Sequence, residues 1–206
     1  MSYGYQKIGN NIHERQRILY PWMTFNPIFN PQELGIISGY CAENKNLIDG
    51  TTLTKNGIEH RKSKVNFYYA NDEKLSWVFT RINSFLDDVN SVYFNFDLNG
   101  YDTLQYTEYD AEEGGKYDYH MDTITGLNMP ADQYETRKLS LTMLLNDPNE
   151  DFTGGDFSVY TGEEENVSLK MGDIVVFPSF MVHRVNQITK GIRKSLVIWV
   201  YGPKFK

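Results

Sequence analysis

The sequence predicts a mainly β fold with helices at its N-terminal side (α+β), and two observations support this class. After Tyr93, short β-rich runs such as KLSLTMLL and RKSLVIWVY alternate with turns of Gly, Asn, Asp and Pro. About eight or nine strands result, several of them apolar on both faces, which is typical of a two-layer sandwich or small barrel. Before residue 91, two segments carry helical patterns. We therefore expect one domain over 1–206, with residues 1–90 as helical support with an exposed loop, and 91–206 as the β core.

Both N-terminal helices are predicted from the residues at their starts. In NPQELGIISGYCAEN, Asn30 can cap the helix, Pro31 suits the first turn, and Glu33 lies three residues after the cap. In NDEKLSWVFTRINSFLDDVN, apolar residues recur every three or four positions, which predicts an amphipathic helix behind an Asn71 cap and an acidic first turn. The run VYFNF that follows is predicted to be the first strand. The polar stretch 43–64 is predicted to be a long exposed loop or a loose hairpin.

Composition argues against several classes of protein. The net charge is -7, and no run of Lys and Arg exceeds two residues, which disfavours a nucleic-acid partner. The single cysteine, Cys41, cannot form an intrachain disulfide and suits a reducing compartment, so we expect a cytoplasmic protein. The N-terminal residues lack the apolar run of a secretory signal, and no apolar stretch reaches the roughly 18 residues that a membrane span requires. We expect no membrane partner, and the oligomeric state stays open.

The stretch YDYHMDTITG holds His120 and Asp122, one residue apart. On a strand, residues i and i+2 project from the same face, so the two side chains point together. His183 lies in the apolar segment DIVVFPSFMVHRVNQI and is the expected third ligand, whereas His13 and His60 lie in polar segments and are expected to be solvated. Two imidazoles and one carboxylate form the facial triad of non-haem Fe(II) oxygenases, although zinc uses the same ligands.

An arginine accompanies these three residues. HRVNQITKGIRKSLVIWVY is predicted to be a hairpin that turns near Thr189–Lys190–Gly191, which places Arg193 at the start of an apolar strand. A buried guanidinium is costly without an anion, and no acid lies near Arg193 in sequence, so a bidentate carboxylate ligand is an economical partner. The alternative is an arginine that reaches solvent at the strand end. Arg184 projects from the opposite face of its strand and is expected to be solvated.

The combination of GGKYDYHMD, LTMLLNDPNEDFTGGDF, MGDIVVFPSFMVHRV and TKGIRKSLVIWVYG resembles the 2-oxoglutarate- and Fe(II)-dependent dioxygenases. Within them it is most similar to the prolyl 4-hydroxylase branch, which includes bacterial PKHD-type hydroxylases. The resemblance covers about residues 100–202 and implies a double-stranded β-helix (jelly-roll) core flanked by the two helices. It implies that His120, Asp122 and His183 bind Fe(II), that Arg193 binds the distal carboxylate of the cosubstrate 2-oxoglutarate, that O2 is the oxidant, and that ascorbate is a supporting reductant.

This chain departs from the family at one cosubstrate contact. The usual tyrosine position on the LTMLLN strand is occupied by Leu144, so Thr142 or Tyr109 is expected to take over that contact. Trp199 resembles the family's pocket-lining tryptophan, with plain core packing as the alternative. Arg137 is a further candidate for contact with the substrate.

Several neighbours of the predicted ligands receive other assignments. Strand alternation places Tyr117 and Tyr119 away from the metal, where they are predicted to serve packing. Asp118 shares the face of His120, but a facial triad needs open positions, so we expect Asp118 to be solvated or to support a ligand. The stretch 43–64 is hypothesised to fold over the substrate as a lid, and the NMPADQYET loop to contact it.

The resemblance implies hydroxylation of an unactivated C–H group, with release of succinate and CO2 and no catalytic side chain beyond the metal centre. A peptide or protein substrate, with proline as the first expectation, follows from the prolyl-hydroxylase branch. Alternatives are hydroxylation of a free amino acid or another small molecule, a metal-dependent hydrolase, and a non-catalytic β-sandwich binding module. Trp199 stands where nucleobase demethylases of the superfamily carry a second arginine, which again argues against nucleic acid.

Overall fold

A computed structural model describes residues 20–44, 46–50, 60–123 and 135–204. In these residues α1 (Pro31–Glu43) and α2 (Ser76–Val89) precede most of the strands. The strands are β1 (Met23–Phe25), β2 (Ile48–Asp49), β3 (Arg61–Lys62), β4 (Lys64–Tyr69), β5 (Thr103–Asp110), β6 (Lys116–His120), β7 (Glu135–Leu144), β8 (Phe152–Gly154), β9 (Phe157–Tyr160), β10 (Glu164–Val167), β11 (Ile174–Pro178), β12 (His183–Val185) and β13 (Ile188–Pro203). No helix among the described residues is long and apolar enough to cross a membrane.

The strands form two antiparallel sheets. The larger has the order β1-β11-β7-β13-β5-β4-β2, with β8 paired to the start of β13, and the smaller has the order β10-β9-β12-β6-β3. Tyr109 and Phe177 of the larger sheet pack in one apolar cluster with Phe157, Val159 and Val185 of the smaller sheet. The two sheets therefore face each other across a shared core, which confirms the predicted mainly β jelly-roll architecture.

The two helices cover the other face of the larger sheet. Leu34 and Ile37 of α1, with Val78 and Ile82 of α2, pack in a second cluster with strand residues such as Leu141. This burial removes apolar surface from water, which stabilises the fold by about 25 cal/mol per Å². A sheet that is covered on both faces explains why its strands are apolar on both sides in the sequence.

The helix starts confirm one prediction and correct the other. At α1, the Asn30 side chain accepts a hydrogen bond from the Glu33 amide at 2.9 Å, and the Glu33 carboxylate accepts one from the Asn30 amide at 2.9 Å. The predicted Asn71 cap of α2 is wrong, because that helix begins at Ser76 with no side-chain cap and no acidic residue in its first turn. The Asp72 carboxylate instead accepts hydrogen bonds from the Lys74 amide and the Tyr40 hydroxyl, which stabilises a turn before the helix.

The run VYFNF is not a strand. It lies in and just after a π-helical turn, Asn90–Phe94, that continues α2. The Asn90 side chain closes the turn, since it accepts a hydrogen bond from the Phe96 amide and donates one to the Phe96 carbonyl. Asn95 takes a left-handed conformation with φ 51°, which ends the helical path. This local side-chain bonding outweighed the β propensity of the aromatic residues.

The predicted hairpin at Thr189–Lys190–Gly191 is also wrong. β12 pairs with β6 and β9 in the smaller sheet, whereas β13 pairs with β5, β7 and β8, so the chain crosses from one sheet to the other. Lys190 lies inside β13, opposite Thr153 of β8. Two β-rich runs separated by a short polar segment give the same pattern in a hairpin and in such a crossing, so the sequence could not separate them.

The polar stretch 43–64 contains the base of a hairpin, since Ile48 and Asp49 of β2 pair with Val65 and Lys64 of β4. The alternative of a loose hairpin is thus confirmed at its base. The same stretch also contains β3, which pairs with β6 at the edge of the smaller sheet. The remainder, 51–59, lies outside the described residues, and the lid role stays a prediction.

Candidate metal centre

His120, Asp122 and His183 lie together at the mouth of the sandwich, as predicted. His120 of β6 is directly opposite His183 of β12, and the centroids of their rings are 4.1 Å apart. Asp122 follows the end of β6, with its Oδ1 3.6 Å from His120 Nε2 and its Oδ2 3.6 Å from His183 Nε2. The three ligand atoms all lie within 4.8 Å of one another, which is the spacing that a single metal ion requires.

Backbone carbonyls orient both imidazoles. His120 Nδ1 is 2.8 Å from the Asp118 carbonyl oxygen, and His183 Nδ1 is 3.0 Å from the Met181 carbonyl oxygen. A carbonyl can only accept, so each Nδ1 carries a proton, and in the neutral ring Nε2 keeps the lone pair that can bind a metal. Hydrogen bonds of this kind fix the tautomer of metal-binding histidines.

The carboxylate of Asp122 is held by two serines. Ser140 of β7 donates a hydrogen bond to Asp122 Oδ2 at 2.7 Å, and its hydroxyl lies 2.9 Å from that of Ser179. The backbone amides of Asp122 and Thr123 both donate to the Ser179 carbonyl at 2.9 Å. All of these groups are buried except Thr123. Sequence reasoning missed both serines, because nothing in the local pattern links them to a residue on another strand.

Burial and neighbouring groups set the charge states of His120 and Asp122. Burial lowers the pKa of His120 to about 3, and the nearby His183 adds to this shift, so the His120 imidazole is neutral. Burial alone would raise the pKa of Asp122, but the imidazoles of His183 and His120 and the Ser140 hydrogen bond outweigh it and lower that pKa below its ordinary value. A neutral imidazole beside an ionised carboxylate is the state that binds a divalent cation.

A cavity adjoins the triad, and Arg193 lies in its wall. The Arg193 side chain is 2% exposed, its Nη1 donates to Ser195 Oγ at 3.3 Å, and its guanidinium is 5.8 Å from the centre of the Tyr109 ring. No carboxylate among the described residues forms an ion pair with it. The cavity is lined by Arg61, Gln105, Tyr109, Tyr117, His120, Asp122, Thr142, Phe157, Phe177, His183, Val185, Arg193, Ser195, Val197 and Trp199.

The sequence GGDF, residues 154–157, leaves space for the Arg193 side chain. Gly155 has φ 68°, in the left-handed region that favours glycine. A Cβ atom at this position would lie 3.0 Å from Arg193 Cδ and 2.2 Å from Ile188 Cδ1. The second glycine of the motif therefore allows the backbone to pass directly over the arginine stem.

The other predicted pocket residues divide into lining and rim. Tyr109, Thr142 and Trp199 line the cavity, while Leu144 is buried in the apolar cluster between the sheets. Arg137 lies at the rim, with its guanidinium 3.9 Å from the centre of the Trp199 ring. It also donates hydrogen bonds of 3.4 Å to the Asp122 carbonyl and to the Tyr201 hydroxyl.

Tyr117 was predicted to face away from the metal, and this is wrong. Its ring stacks on the His120 imidazole, with centroids 3.4 Å apart and an angle of 14° between the planes. His183 pairs with His120 and Val185 pairs with Tyr117, so three residue steps on β6 oppose two on β12. This β-bulge adds one residue and turns Tyr117 to the same side as His120.

The remaining candidates lie outside the triad. Tyr119 is 41% exposed and packs under the Arg184 guanidinium at 4.6 Å. The Asp118 carboxylate pairs with Lys116 at 2.9 Å and lies 3.6 Å from His60 Nδ1, so only its carbonyl supports a ligand. Arg184 forms an ion pair with Glu164 on the outer side of the smaller sheet. His13 and most of the NMPADQYET loop lie outside the described residues.

Arg61 is a pocket residue that the sequence did not reveal. It is 7% exposed, its guanidinium lies 4.7 Å from the centre of the Tyr117 ring, and its Nε donates to Ser63 Oγ at 2.8 Å. The sequence IEHRKSK around it is polar, and only His60 of this stretch received a prediction. Only the pairing of Arg61 with Tyr117 across β3 and β6 brings it to the cavity. Ser195 of β13 and Gln105 of β5 also line the cavity and were not among the predicted site residues.

Comparison with known proteins shows which family this chain resembles. The family model described as the 2OG-Fe(II) oxygenase superfamily matches residues 104–201, which include the triad and Arg193. Over this segment, slightly less than half of the chain, the protein is similar to the 2OG-Fe(II) oxygenase superfamily. The cofactors of this superfamily are Fe(II), 2-oxoglutarate and O2, and the two imidazoles and one carboxylate of the triad fit the iron ion.

Relatives within the superfamily include a PKHD-type hydroxylase of Psychrobacter sp. (strain PRwf-1), 38% identical over 89 residues. That match covers 42% of this chain and 34% of the relative, so it spans about a third of the relative's length. Two solved structures share the fold: a prolyl-4-hydroxylase of Pseudomonas putida and a prolyl hydroxylase of Trichoplax adhaerens in complex with a hypoxia inducible factor peptide fragment.

The structural agreement extends over nearly the whole chain. The Pseudomonas putida structure has a TM-score of 0.69 at 17% identity and covers 90% of this chain and 94% of its own. The Trichoplax adhaerens structure has a TM-score of 0.70 at 14% identity and covers 88% and 84%. At these identities the likeness shows the fold alone. The described core has the same architecture as these two prolyl hydroxylase structures.

Proposed function

We propose that this protein is a 2-oxoglutarate- and Fe(II)-dependent dioxygenase that hydroxylates an unactivated C–H group. The observation that carries the proposal is the buried triad of His120, Asp122 and His183 beside Arg193, a buried cation with no carboxylate partner among the described residues. In the proposed reaction one oxygen atom of O2 enters the C–H bond and the other enters succinate, while 2-oxoglutarate loses CO2. Electrons balance because the keto acid is the co-reductant.

The residues around the triad have separate roles in this proposal. When bound, the iron supplies the activation of O2 that no side chain provides. His120, Asp122 and His183 would hold it from one side and leave the other positions to ligands. Ser140 orients the Asp122 carboxylate, and the backbone carbonyls of Asp118 and Met181 orient the two imidazoles. No other catalytic side chain is proposed.

Arg193 is proposed to bind the distal carboxylate of 2-oxoglutarate through its planar fork. Thr142 and Tyr109 line the same cavity and are proposed to add the hydroxyl contact that Leu144 cannot make. Ser195 is a further candidate, because its oxygen accepts from Arg193 and its own proton has no acceptor among the described residues. Phe157 and Phe177 exclude water from the cavity wall.

A peptidyl substrate, with proline as the first candidate, is supported by the prolyl hydroxylase of Trichoplax adhaerens, whose structure is a complex with a peptide fragment, and by the aromatic surfaces of Tyr117 and Trp199. Such flat rings suit a proline side chain. The partner is then a peptide or protein. Residues 1–90 are proposed as support and substrate-loop region and 91–206 as the catalytic core of one domain, and the cytoplasmic location stays a prediction.

The test uses protein loaded with Fe(II) without oxygen and then exposed to O2 with 2-oxoglutarate, ascorbate and a proline-rich peptide library. We expect succinate together with products heavier by one oxygen atom in mass spectrometry. Arg193→Ala should abolish both signals, whereas the matched variant Arg184→Ala, on the outer face, should retain them. Turnover of any compound by Arg193→Ala without the keto acid would instead favour a metal-dependent hydrolase.

A further inference from the structure

Charge around the cavity is not balanced once its proposed ligands are counted. The two positive charges of a ferrous ion would be neutralised by the carboxylate of Asp122 and by the 2-oxoglutarate carboxylate next to the keto group. The other, distal carboxylate of 2-oxoglutarate would neutralise Arg193. Arg137 is then left over. Its hydrogen bonds go to neutral acceptors, the Asp122 carbonyl and the Tyr201 hydroxyl, and no acidic side chain among the described residues pairs with it.

A second observation at the same place points to a missing acceptor. Trp199 Nε1 is the one buried side-chain nitrogen or oxygen atom without a hydrogen-bond partner among the described residues. Trp199 lines the cavity, and the Arg137 guanidinium lies against its ring. A buried N–H without an acceptor costs roughly 1–3 kcal/mol, so a ligand that supplies an acceptor would bind with that advantage.

This end of the cavity is distinct from the end that holds Arg193. Trp199 lies six residues further along β13 on the same face, a strand distance of roughly 20 Å. The keto acid is too short to reach both ends. The acceptor and the negative charge must therefore come from the substrate.

We propose that the substrate carries a carboxylate close to the carbon that is hydroxylated, and that Arg137 is its positioning residue, with Trp199 Nε1 as an additional donor. This inference rests on the proposed dioxygenase function. The carboxylate can come from a free amino acid, from the C-terminus of a peptide, or from an Asp or Glu side chain within a peptide. All three present the planar anion that a guanidinium binds.

The test offers matched pairs that differ only in this charge. Each N-acetyl amino acid is supplied as its carboxylate and as its primary amide, to protein loaded with Fe(II) and 2-oxoglutarate. Free amino acids and capped peptides with an internal Asp or Glu form two further arms that separate the sources. We expect a carboxylate member to raise succinate above the substrate-free level and to gain one oxygen atom, with at least a tenfold lower KM than its amide.

Arg137→Gln should raise the KM of the carboxylate at least tenfold, bring it to that of the amide, and leave kcat within about threefold. Arg137→Lys keeps the charge and should restore part of the preference. Arg184→Gln, another arginine stacked on an aromatic ring, should change nothing. A carboxylate preference that survives in Arg137→Gln, or amides turned over as well as acids, would overturn the proposal.

A binding measurement covers the case in which no pair is turned over. Saturation-transfer NMR with N-acetyl-L-proline and its amide is recorded on protein loaded with zinc, which is redox-inert, and with 2-oxoglutarate. Stronger transfer to the acid, lost in Arg137→Gln, supports the proposal, and equal transfer to both contradicts it. Failure of the dioxygenase function itself would appear separately, as no succinate above a metal-free control in any arm.

Discussion

The two faces of the larger sheet differ in chemistry although they share the same strands. Facing the helices are apolar residues of β5, β7 and β13, such as Leu104, Leu141 and Ile198. The alternate positions of the same strands face the smaller sheet and hold buried polar residues such as Gln105, Thr142 and Arg193. Strand alternation therefore separates a face that packs against the helices from a face that lines the cavity, and mutations on the two faces should have different consequences.

The largest expected effect is at Asp122. Asp122→Asn keeps the shape but removes the negative charge between two imidazoles, so we expect turnover to fall by more than the roughly 100-fold typical of losing a partner that only orients a ligand. Bound iron, measured by elemental analysis after anaerobic loading, should fall with it, while the urea midpoint of the metal-free protein stays near that of the unmutated chain. Full activity in this variant would show that the triad does not bind the catalytic metal.

A pair of neighbours on β7 sharpens the comparison. Leu141→Ala removes a fully buried side chain from the helix-covered face and should lower the free energy of unfolding by about 2–5 kcal/mol. Thr142→Val is nearly isosteric and should change that free energy far less, but it should raise the KM for 2-oxoglutarate. Urea denaturation measures the free energy of unfolding of both variants, and the rate of succinate formation measures their KM for 2-oxoglutarate. Similar losses of stability in the two variants would remove the distinction between the faces.

Ser140→Ala should act on the ligand face without touching the helix face. It removes the hydrogen bond to Asp122 Oδ2, and such supporting contacts are typically worth about 10–100-fold in metal affinity. The lost bond should also raise the pKa of Asp122, since that bond helps to lower it. Iron or zinc titrations across acidic pH should show weaker binding with a midpoint at higher pH. Ser158→Ala, at a buried serine of the smaller sheet that bonds Asn166 and Asn186, is the matched control and should bind metal normally.

The smallest expected effect is on the pH dependence of the metal-free protein. His120 has an ordinary pKa of 6.5 and a folded pKa of about 3, so the unfolded chain binds a proton more readily between these values. Its contribution to stability is present above pH 6.5 and is lost as the pH falls towards 3. His120→Gln should flatten the fall in urea midpoint over this window. An unchanged slope would mean that His120 is not buried in its neutral form.

The sequence could predict those parts of the site that depend on local rules. The capping residues of α1 and the burial of Arg193 in an apolar strand follow from capping chemistry and from alternation. His120 and Asp122 do lie together, but Asp122 follows the end of β6, so the predicted strand over both residues is wrong. The position of His183 beside His120 and Asp122 was expected from its apolar context together with the need for a third ligand.

The rest depended on contacts between distant segments. Tyr117 reaches His120 only because of a bulge in β6, and Arg61 reaches the cavity only because β3 pairs with β6. The start of α2 shifted because Asp72 bonds Tyr40, a residue 32 positions away. Bulges, sheet order and such side-chain bonds leave no periodic signal in a single sequence.

The central claim is that the triad and Arg193 together form one site for iron and a keto acid. Calorimetric titration of 2-oxoglutarate into the protein without oxygen tests it most directly, with and without Fe(II) and in Arg193→Ala. We predict one equivalent bound to the iron-loaded protein, and binding weaker by at least tenfold when either the iron or the Arg193 guanidinium is removed. Binding that is indifferent to both would contradict the account.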